Sequence, residues 1–212
     1  LFENAIPIFV DVDPITGNID PVLVKQAAED IKSGGDSAKK WLPRKGTDNL
    51  GKLKAILPVD VFGQPYDYYS INEIAKQNDL LIIEDSCEAL GAEYKGVKAG
   101  KLGDMATFAF YPNKQITTGE GGMCVTSNVE LYQKCRELRN LCFQEGGKRF
   151  HHNRIGWNYR MTNMQAALGV AQLERLDHHV IRKKEIGNMY YDLLSKNNNF
   201  TLMKPKCSHS DN

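Results

Sequence analysis

A carboxylate and a lysine each follow an apolar stretch of this chain. Asp85 comes directly after the run LLIIE, and Lys114 follows the aromatic run FAFYPN. In an open α/β sheet the reacting groups gather at the carboxyl ends of the strands, where we expect both residues to lie. Because a buried carboxylate is costly without a positive partner or hydrogen-bond donors, Asp85 belongs either to a site or to a helix cap or structural ion pair.

The segment after Lys114, TTGEGG, is rich in glycine. Glycine allows the backbone to pass close to a flat or phosphorylated ligand, although a plain hairpin turn has the same composition. The segment lacks the GK[ST] ending and the following helix of a nucleotide-binding phosphate loop, so that reading is weaker.

A strand-end aspartate together with a strand-end lysine favours one kind of chemistry. A lysine that forms a Schiff base with pyridoxal phosphate needs a partner carboxylate, which keeps the pyridine nitrogen of the cofactor protonated. The charged ring then accepts electrons from the carbanion that forms at the substrate carbon. The same lysine can move a proton between the substrate carbon and the cofactor carbon.

The surrounding pattern predicts an α/β fold with a mostly parallel sheet and helices on both faces, because apolar runs alternate with helical patterns. The run 80–86 has the continuous apolar character of a central parallel strand. Further strands are expected at 6–13, 53–63, 105–112 and 121–127.

Helical patterns occupy the rest of the chain. Pro21 suits the first turn of a helix, and Ser70 with Glu73 has the spacing of a capping box. Another helix is expected after residue 128, and a long amphipathic helix over 163–195. The polar segment 34–52 is expected to be a surface loop.

Composition excludes several classes of function. The chain has 212 residues, 42% hydrophobic and 25% charged, as in an ordinary soluble globular protein. Its net charge of +1 argues against a nucleic-acid partner, and no apolar run of membrane length is present. The five cysteines are odd in number and form no CxxC pair, so we expect reduced thiols, a cytoplasmic location and no metal site.

Three blocks of sequence carry a resemblance to a known family. They are PVDVFGQP, IIEDSCEALGAEYKGVKAGKLGDMATFAFYPNKQITTGEGGMCVTSN and RIGWNYRMTNMQAALGVAQLERLD. In this order they resemble the DegT/DnrJ/EryC1/StrS sugar aminotransferases, fold-type I pyridoxal-phosphate enzymes with an aspartate-aminotransferase-like large domain. The resemblance implies transfer of an amino group from an amino acid, glutamate by family analogy, to a nucleotide-linked keto sugar in deoxyamino-sugar or cell-surface polysaccharide biosynthesis.

The resemblance also implies roles for four residues. Lys114 matches the Schiff-base lysine, and Asp85 matches the carboxylate that pairs with the pyridine nitrogen. Glu88 matches a position near the phenolic oxygen of the cofactor and the substrate; otherwise it is a partly exposed surface acid. Asn158 matches an asparagine that reaches across a homodimer to the phosphate of the neighbouring subunit's cofactor.

The chain departs from the family pattern in two respects. Ala109 stands five residues before Lys114, where many relatives have a serine that donates to the cofactor phosphate. We also expect a fragment that begins after the usual phosphate-binding segment and ends before most of the C-terminal domain. Residues 1–160 would then form part of the pyridoxal-phosphate-binding large domain, and 161–212 the long helix and the start of the small domain.

Two alternatives remain open at this point. One is a sugar dehydrase or another reaction on the same cofactor, and the other is a non-catalytic fold remnant. Dehydrases of the family carry a histidine at the position of Lys114, so the lysine favours transamination. Asp85 and Lys114 together speak against a remnant. The sequence leaves the sugar, the nucleotide and the aminated carbon open.

Overall fold

The computed structural model describes residues 4–45, 51–143, 146–148, 150–152 and 154–203. These residues form a mixed α/β fold around a four-stranded sheet. The described chain contains no helix that is both long and apolar enough to cross a membrane.

Six α-helices, one short 3-10 helix (Val61–Gly63) and six strands follow one another among the described residues. The helices are α1 (Pro21–Ser33), α2 (Gly35–Lys39), α3 (Tyr68–Asn78), α4 (Val129–Arg139), α5 (Asn163–Leu173) and α6 (Leu176–Leu194). The strands are β1 (Ala55–Ile56), β2 (Leu81–Asp85), β3 (Glu93–Tyr94), β4 (Val97–Lys98), β5 (Met105–Ala109) and β6 (Gly122–Val125).

The main sheet has the strand order β1-β2-β5-β6. β1 pairs with β2 and β2 pairs with β5 in parallel, whereas β6 runs antiparallel to β5. At the end of β2, Asp85 is in register with Thr107 of β5. The mixed α/β class and the mostly parallel sheet expected from the sequence are therefore confirmed. β3 and β4 form a separate antiparallel pair.

The hydrophobic core lies where α1 and α3 pack beside β1 and β2. Alternate residues of β2 point into it, because successive side chains of a strand face opposite sides of the sheet. Its buried members include Val24, Ile56, Tyr66, Ile71, Ile82 and Tyr94.

Glu84 on β2 is a fully buried carboxylate that fixes the turn leading into β5. Its oxygens accept hydrogen bonds from the backbone N–H groups of Gly100 at 3.0 Å, Leu102 at 2.8 Å and Gly103 at 2.5 Å. Burial raises the pKa of Glu84, and the three N–H donors act in the opposite direction. The turn before β5 is thus tied to the strand beside which β5 must lie.

Two strand predictions differ from the structure. Residues 6–13 form no strand; Val12 makes a single bridge to Ile19, and Phe9 is 84% exposed, so no neighbouring strand in the described chain covers this segment. The strand expected at 53–63 is reduced to β1, because Pro58 has no N–H to continue the ladder. Pairing resumes only as a bridge between Val59 and Asp85.

The helix that follows β1 begins earlier than the sequence pattern indicated. α3 starts at Tyr68, and the Asp67 carboxylate accepts hydrogen bonds from the Ser70 hydroxyl at 2.8 Å and the Ser70 N–H at 3.5 Å. The prediction of a capping box from Ser70 to Glu73 is therefore wrong, since Asp67 occupies the cap.

The C-terminal helical region consists of two helices. Arg175 has φ −112° and ψ 11°, outside the α-helical region, and ends the continuous hydrogen bonding between α5 and α6. The expected long helix corresponds to α6, which has 19 residues. The predicted surface loop 34–52 contains the short helix α2, and its residues 46–50 lie outside the described chain.

We expect Glu84→Ala to lower the free energy of unfolding by about 3 kcal/mol or more, because three N–H groups lose their acceptor in a buried place. Urea denaturation measures this change. Glu93→Ala is the control: Glu93 forms a partly exposed ion pair with Lys98, and its loss should cost less than about 1 kcal/mol. Equal unfolding midpoints for the two variants would contradict the structural role of Glu84.

Candidate active site

Lys114 lies in the turn that follows β5. Its backbone N–H donates to the carbonyl of Tyr111 at 3.0 Å, which fixes the turn. Its side chain is only 16% exposed, and its Nζ lies 3.1 Å from Oε1 of Glu88. Lys114 is therefore held in place by a carboxylate, unlike an ordinary solvated lysine.

Glu88 connects Lys114 to two other segments. Its Oε2 accepts a hydrogen bond from the Phe62 N–H at 2.9 Å, and its backbone carbonyl accepts one from the Gln115 side chain. The Phe62 N–H lowers the pKa of Glu88, and Lys114 acts in the same direction against the effect of burial. Glu88 is thus an ionised, positioned carboxylate whose side chain is partly exposed.

Asp85 stands at the end of β2, half-buried, beside this pair. Its Oδ1 accepts a hydrogen bond from the Cys87 N–H at 3.2 Å, and its backbone N–H donates to the Pro58 carbonyl at 2.9 Å. Asp85 forms no ion pair with any cation of the described chain. The charges of Asp85 and Lys114 both act on Glu88, so the three side chains belong to one cluster at this edge of the sheet.

Cys87 lies within the same cluster. Its thiol is 3.8 Å from the hydroxyl of Thr107. Burial and the neighbouring Asp85 raise the pKa of the Cys87 thiol to about 11, so it is protonated at neutral pH. A protonated thiol is a poor nucleophile, which makes Cys87 a packing residue of the site.

Asp60 is a buried carboxylate beneath the cluster that the sequence analysis did not single out. It is 0% exposed, and it accepts hydrogen bonds from the Ser86 hydroxyl at 2.7 Å and from the Tyr66 N–H at 3.1 Å. Its backbone N–H donates to the Asp85 carbonyl at 3.0 Å. Burial raises the pKa of Asp60 to about 7, against the opposing effect of these donors to its carboxylate. Asp60 therefore holds the backbone of Asp85 and the side chain of Ser86 that follows it.

Asn158 lies apart from this cluster. It is exposed, its Oδ1 accepts a hydrogen bond from Arg160 Nε at 2.9 Å, and its backbone forms a bridge with Asn140. Within the described residues no hydrogen bond connects Asn158 with Lys114 or Asp85. The structure thus brings together three of the four predicted site residues.

Ala109 ends β5 opposite Gly122. The nearest hydroxyl on the same side of the strand is Thr107, which donates to the Glu84 carbonyl at 3.3 Å. Thr107 is therefore already engaged in the sheet and is a poor replacement for the serine expected at position 109.

Two adjoining hollows open at this edge of the sheet. A pocket of about 200 Å³ contains Lys114, and a larger cleft of about 760 Å³ lies between α6 and the segments after β1 and β2. We call the larger hollow the α6 cleft. Both hollows are lined by Phe62, Glu88, Gln115 and Lys183. A ligand in the α6 cleft would therefore have a direct route to Lys114.

Gly91 allows α6 to approach the sheet edge closely. Its φ is +93°, and a Cβ built on it would lie 2.8 Å from Val180 of α6. A larger residue would be strained at this φ and would crowd the Val180 side chain. Gly91 therefore gives α6 room beside the sheet edge.

The fold and the cluster of Asp85, Glu88 and Lys114 are those of an α/β domain with a candidate active site at the carboxyl edge of its parallel strands. Residues 1–212 match the DegT/DnrJ/EryC1/StrS aminotransferase family, and the chain belongs to that family. The resemblance inferred from the three sequence blocks is confirmed.

Relatives with established names include two enzymes of sugar-nucleotide chemistry. The chain is 41% identical over 193 residues to GDP-perosamine synthase of Caulobacter vibrioides, covering 91% of this chain and 46% of the relative. It is 37% identical over 180 residues to UDP-4-amino-4,6-dideoxy-N-acetyl-beta-L-altrosamine transaminase of Campylobacter jejuni, covering 84% and 47%. The chain spans about half the length of the curated relatives it matches.

A solved structure supports the same assignment. The crystal structure of a DegT/DnrJ/EryC1/StrS aminotransferase from Brucella abortus superimposes with a TM-score of 0.74 at 32% identity. The match covers 90% of this chain and 47% of that chain. The fold described above is therefore that of family members.

We expect Asp60 to make the protein less stable as the pH rises from about 4 to about 7. Its pKa is about 7 in the folded chain and about 3.9 in an unfolded one, so only the folded state keeps the proton in this range. The contribution of Asp60 to the free energy of unfolding is fully present below about pH 4 and is lost as the pH rises through about 7. The free energy of unfolding falls by up to about 1.4 kcal/mol per pH unit over this range.

Asp60→Asn removes this titration. The difference in unfolding free energy between the unmodified protein and the variant should therefore fall as the pH rises from about 4 to about 7. Urea denaturation at several pH values measures the difference. Asp36→Asn, which alters an exposed carboxylate, is the control and should show no comparable slope. A difference that stays constant with pH would show that Asp60 titrates normally.

Proposed function

We propose that the protein acts as a pyridoxal-phosphate-dependent aminotransferase on a nucleotide-linked keto sugar, with an amino acid, glutamate by family analogy, as donor. The observation that carries this proposal is the largely buried side chain of Lys114, held 3.1 Å from Glu88 at the same sheet edge as Asp85. The GDP- and UDP-sugar names of its relatives support the substrate class and a role in deoxyamino-sugar or cell-surface polysaccharide biosynthesis.

The groups at this edge fit pyridoxal phosphate. Lys114 supplies a primary amine for the aldehyde, and Asp85 is a carboxylate without an ion-pair partner among the described residues. A protonated pyridine nitrogen is a suitable partner for such a carboxylate. When bound, the cofactor supplies an electron sink for negative charge at the substrate carbon. Asp85, Glu88 and Lys114 would hold it from this chain.

The protein side of the reaction follows from the charges of these residues. Asp85 favours the protonated state of a nitrogen beside it by electrostatic attraction. Lys114 would attach the cofactor through Nζ, and its free amine would serve as the base that moves a proton during amino transfer. Glu88 orients Nζ through the contact at 3.1 Å, and the Phe62 N–H keeps Glu88 ionised for this purpose.

We further propose a homodimer in which Asn158 contacts the cofactor phosphate of the neighbouring subunit. The exposure of Asn158 supports this role. Arg160 Nε donates a hydrogen bond to Oδ1 of Asn158. The Nδ2 group of Asn158 is then available to donate a hydrogen bond to a phosphate. The cytoplasmic location and the division at residue 160 are also proposals, supported by the cysteine pattern and by α5 and α6 following that residue.

Two alternatives are less well supported. A sugar dehydrase of this family would carry a histidine in place of Lys114, by the resemblance described above. A non-catalytic remnant would have no need of the half-buried carboxylate of Asp85, which forms no ion pair among the described residues, since an unpaired buried charge is costly.

We expect Lys114→Ala to abolish both cofactor attachment and turnover, because alanine has no amine that can form the bond to the cofactor. The full-length protein saturated with pyridoxal phosphate should be yellow, and the variant should lose this absorbance. Its transamination of a keto-sugar nucleotide with glutamate should fall by at least about a thousandfold. Lys101→Ala, at an exposed position, is the control. Unchanged absorbance and turnover in Lys114→Ala would support the remnant instead.

We expect Asp85→Asn to reduce kcat by about a hundredfold or more while the cofactor stays attached to Lys114, because a neutral amide no longer stabilises positive charge on the ring. Steady-state kinetics and the visible spectrum measure the two effects separately. Asp79→Asn is a matched control, since Asp79 is an exposed left-handed helix cap that asparagine also accepts. If Asp85→Asn keeps full kcat, Asp85 is not the partner of the ring nitrogen.

A further inference from the structure

Asn18 is a buried polar side chain outside the cluster that surrounds Lys114. It is only 4% exposed and lies in the segment that precedes α1. Its Oδ1 accepts a hydrogen bond from the Val61 N–H at 2.9 Å, and its Nδ2 donates to the Gln64 carbonyl at 2.8 Å. These partners are 43 and 46 residues away in sequence. We call the short segment between them, residues 61–64, the 61–64 turn.

The backbone around Asn18 holds its side chain in place. The Asn18 carbonyl accepts a hydrogen bond from the Asp13 N–H at 2.8 Å, and the Asn18 N–H donates to the Thr16 hydroxyl at 3.3 Å. Because Val61 offers an N–H and Gln64 offers a carbonyl, only one orientation of the amide satisfies both. Both ends of the amide are therefore committed to the backbone of the 61–64 turn.

The 61–64 turn contains a backbone conformation that needs support. Phe62 has φ 53° and ψ 24°, in the left-handed region that residues with a Cβ rarely occupy. This conformation is costly for a bulky residue, and it persists only where the surrounding structure holds it. The two hydrogen bonds of Asn18, one on either side of Phe62, provide that support.

The same conformation directs the Phe62 N–H toward the candidate site. This N–H donates to Oε2 of Glu88 at 2.9 Å, while Oε1 of Glu88 lies 3.1 Å from Lys114 Nζ. The turn also packs against the backbone of Glu88, since a Cβ built on Gly63 would lie 3.0 Å from the Glu88 carbonyl oxygen. A shift of the turn would therefore move the N–H donor away from the carboxylate that orients Lys114.

We infer that Asn18 is a positioning residue for Lys114, acting through the Phe62 N–H and the carboxylate of Glu88. We call this chain of contacts the Asn18 relay. The inference rests on the proposed function, because it makes the orientation of the reacting amine depend on a residue outside the candidate site. Displacement of a reacting group by about 1 Å slows a reaction severely, so a buried hydrogen bond at a distance can limit turnover.

Amide hydrogen exchange of the full-length protein tests the first half of the relay, and it needs no catalysis. Asn18→Ala removes both hydrogen bonds to the 61–64 turn, so the Phe62 N–H should exchange about tenfold faster or more. Glu88→Ala should have a similar effect on the same N–H, because it removes the acceptor. Mass spectrometry with fragmentation to single residues measures the exchange.

Asn78→Ala is the matched control. Asn78 is the last residue of α3, and its Nδ2 donates to the Ile74 carbonyl at 2.9 Å. The variant loses the same kind of bond, but it does so beside the start of β2, at the sheet edge opposite the candidate site. It should leave both kcat and the exchange of the Phe62 N–H unchanged.

Steady-state transamination tests the second half of the relay. Asn18→Ala should lower kcat by about tenfold or more, because the relay orients the amine that moves the proton. KM for the amino-acid donor should change by less than about twofold, since the relay does not bind the donor. In the Glu88→Ala background, Asn18→Ala should cause no further loss of kcat, because the relay is already broken.

Asn18→Asp is a second variant that carries the test if Asn18→Ala does not fold. It keeps the size of the side chain and the acceptor for the Val61 N–H, and it loses the donor to the Gln64 carbonyl. It should therefore change the exchange of the Phe62 N–H and kcat in the same directions, by smaller factors.

Two results would overturn the inference. It is wrong if the Phe62 N–H exchanges in the Asn18 variants at the rate of the unmodified protein. It is also wrong if Asn18→Ala lowers kcat by the same factor with and without the Glu88 carboxylate, because Asn18 then supports the fold independently of the relay.

The two measurements separate this inference from the proposed function. Transamination by a protein whose Phe62 exchange does not depend on Asn18 refutes only the relay. Exchange that depends on Asn18, in a protein that attaches pyridoxal phosphate but does not transaminate, supports the contacts of Asn18 with the site and refutes only the proposed reaction.

Discussion

Parallel pairing between β2 and β5 brings the charged groups of the candidate site together. The register that aligns Asp85 with Thr107 ends both strands at the same edge, and the turn after β5 then places Lys114 beside Glu88. Glu84 supports this register, because its buried carboxylate binds the turn that leads into β5. Displacement of β5 along β2 would separate Lys114 from the carboxylates on which its position depends.

The acidic residues around β2 divide into two groups, because successive side chains of a strand point to opposite faces of the sheet. Glu84 is buried and serves the fold, together with Asp60 and its partner Ser86. Asp85 is half-buried at the strand end and remains without an ion-pair partner in the described chain. Because successive side chains face opposite sides of the sheet, neighbouring carboxylates in the short segment EDSCE have different roles. The buried group fixes the backbone, which allows the other group to face a ligand.

Sequence reasoning was most successful where the pattern is local. The apolar run before Asp85 predicted β2, and the position of Lys114 after an aromatic strand predicted its place at the sheet edge. It failed at 6–13, because β-forming residues make a strand only where a neighbouring strand pairs with them. Asp60 was overlooked because its role depends on Ser86 and Tyr66, which only the folded chain brings to its carboxylate. The α6 cleft likewise depends on long-range packing, such as that of Gly91 against Val180.

The covalent role of Lys114 is the central claim, and borohydride reduction tests it most directly. Reduction makes the bond between pyridoxal phosphate and a lysine permanent, so that mass spectrometry of the digested full-length protein identifies the attached residue. The account predicts the pyridoxyl phosphate group on the peptide containing Lys114 and on no other lysine peptide. Attachment to a different lysine, or no attachment after saturation with the cofactor, would contradict it.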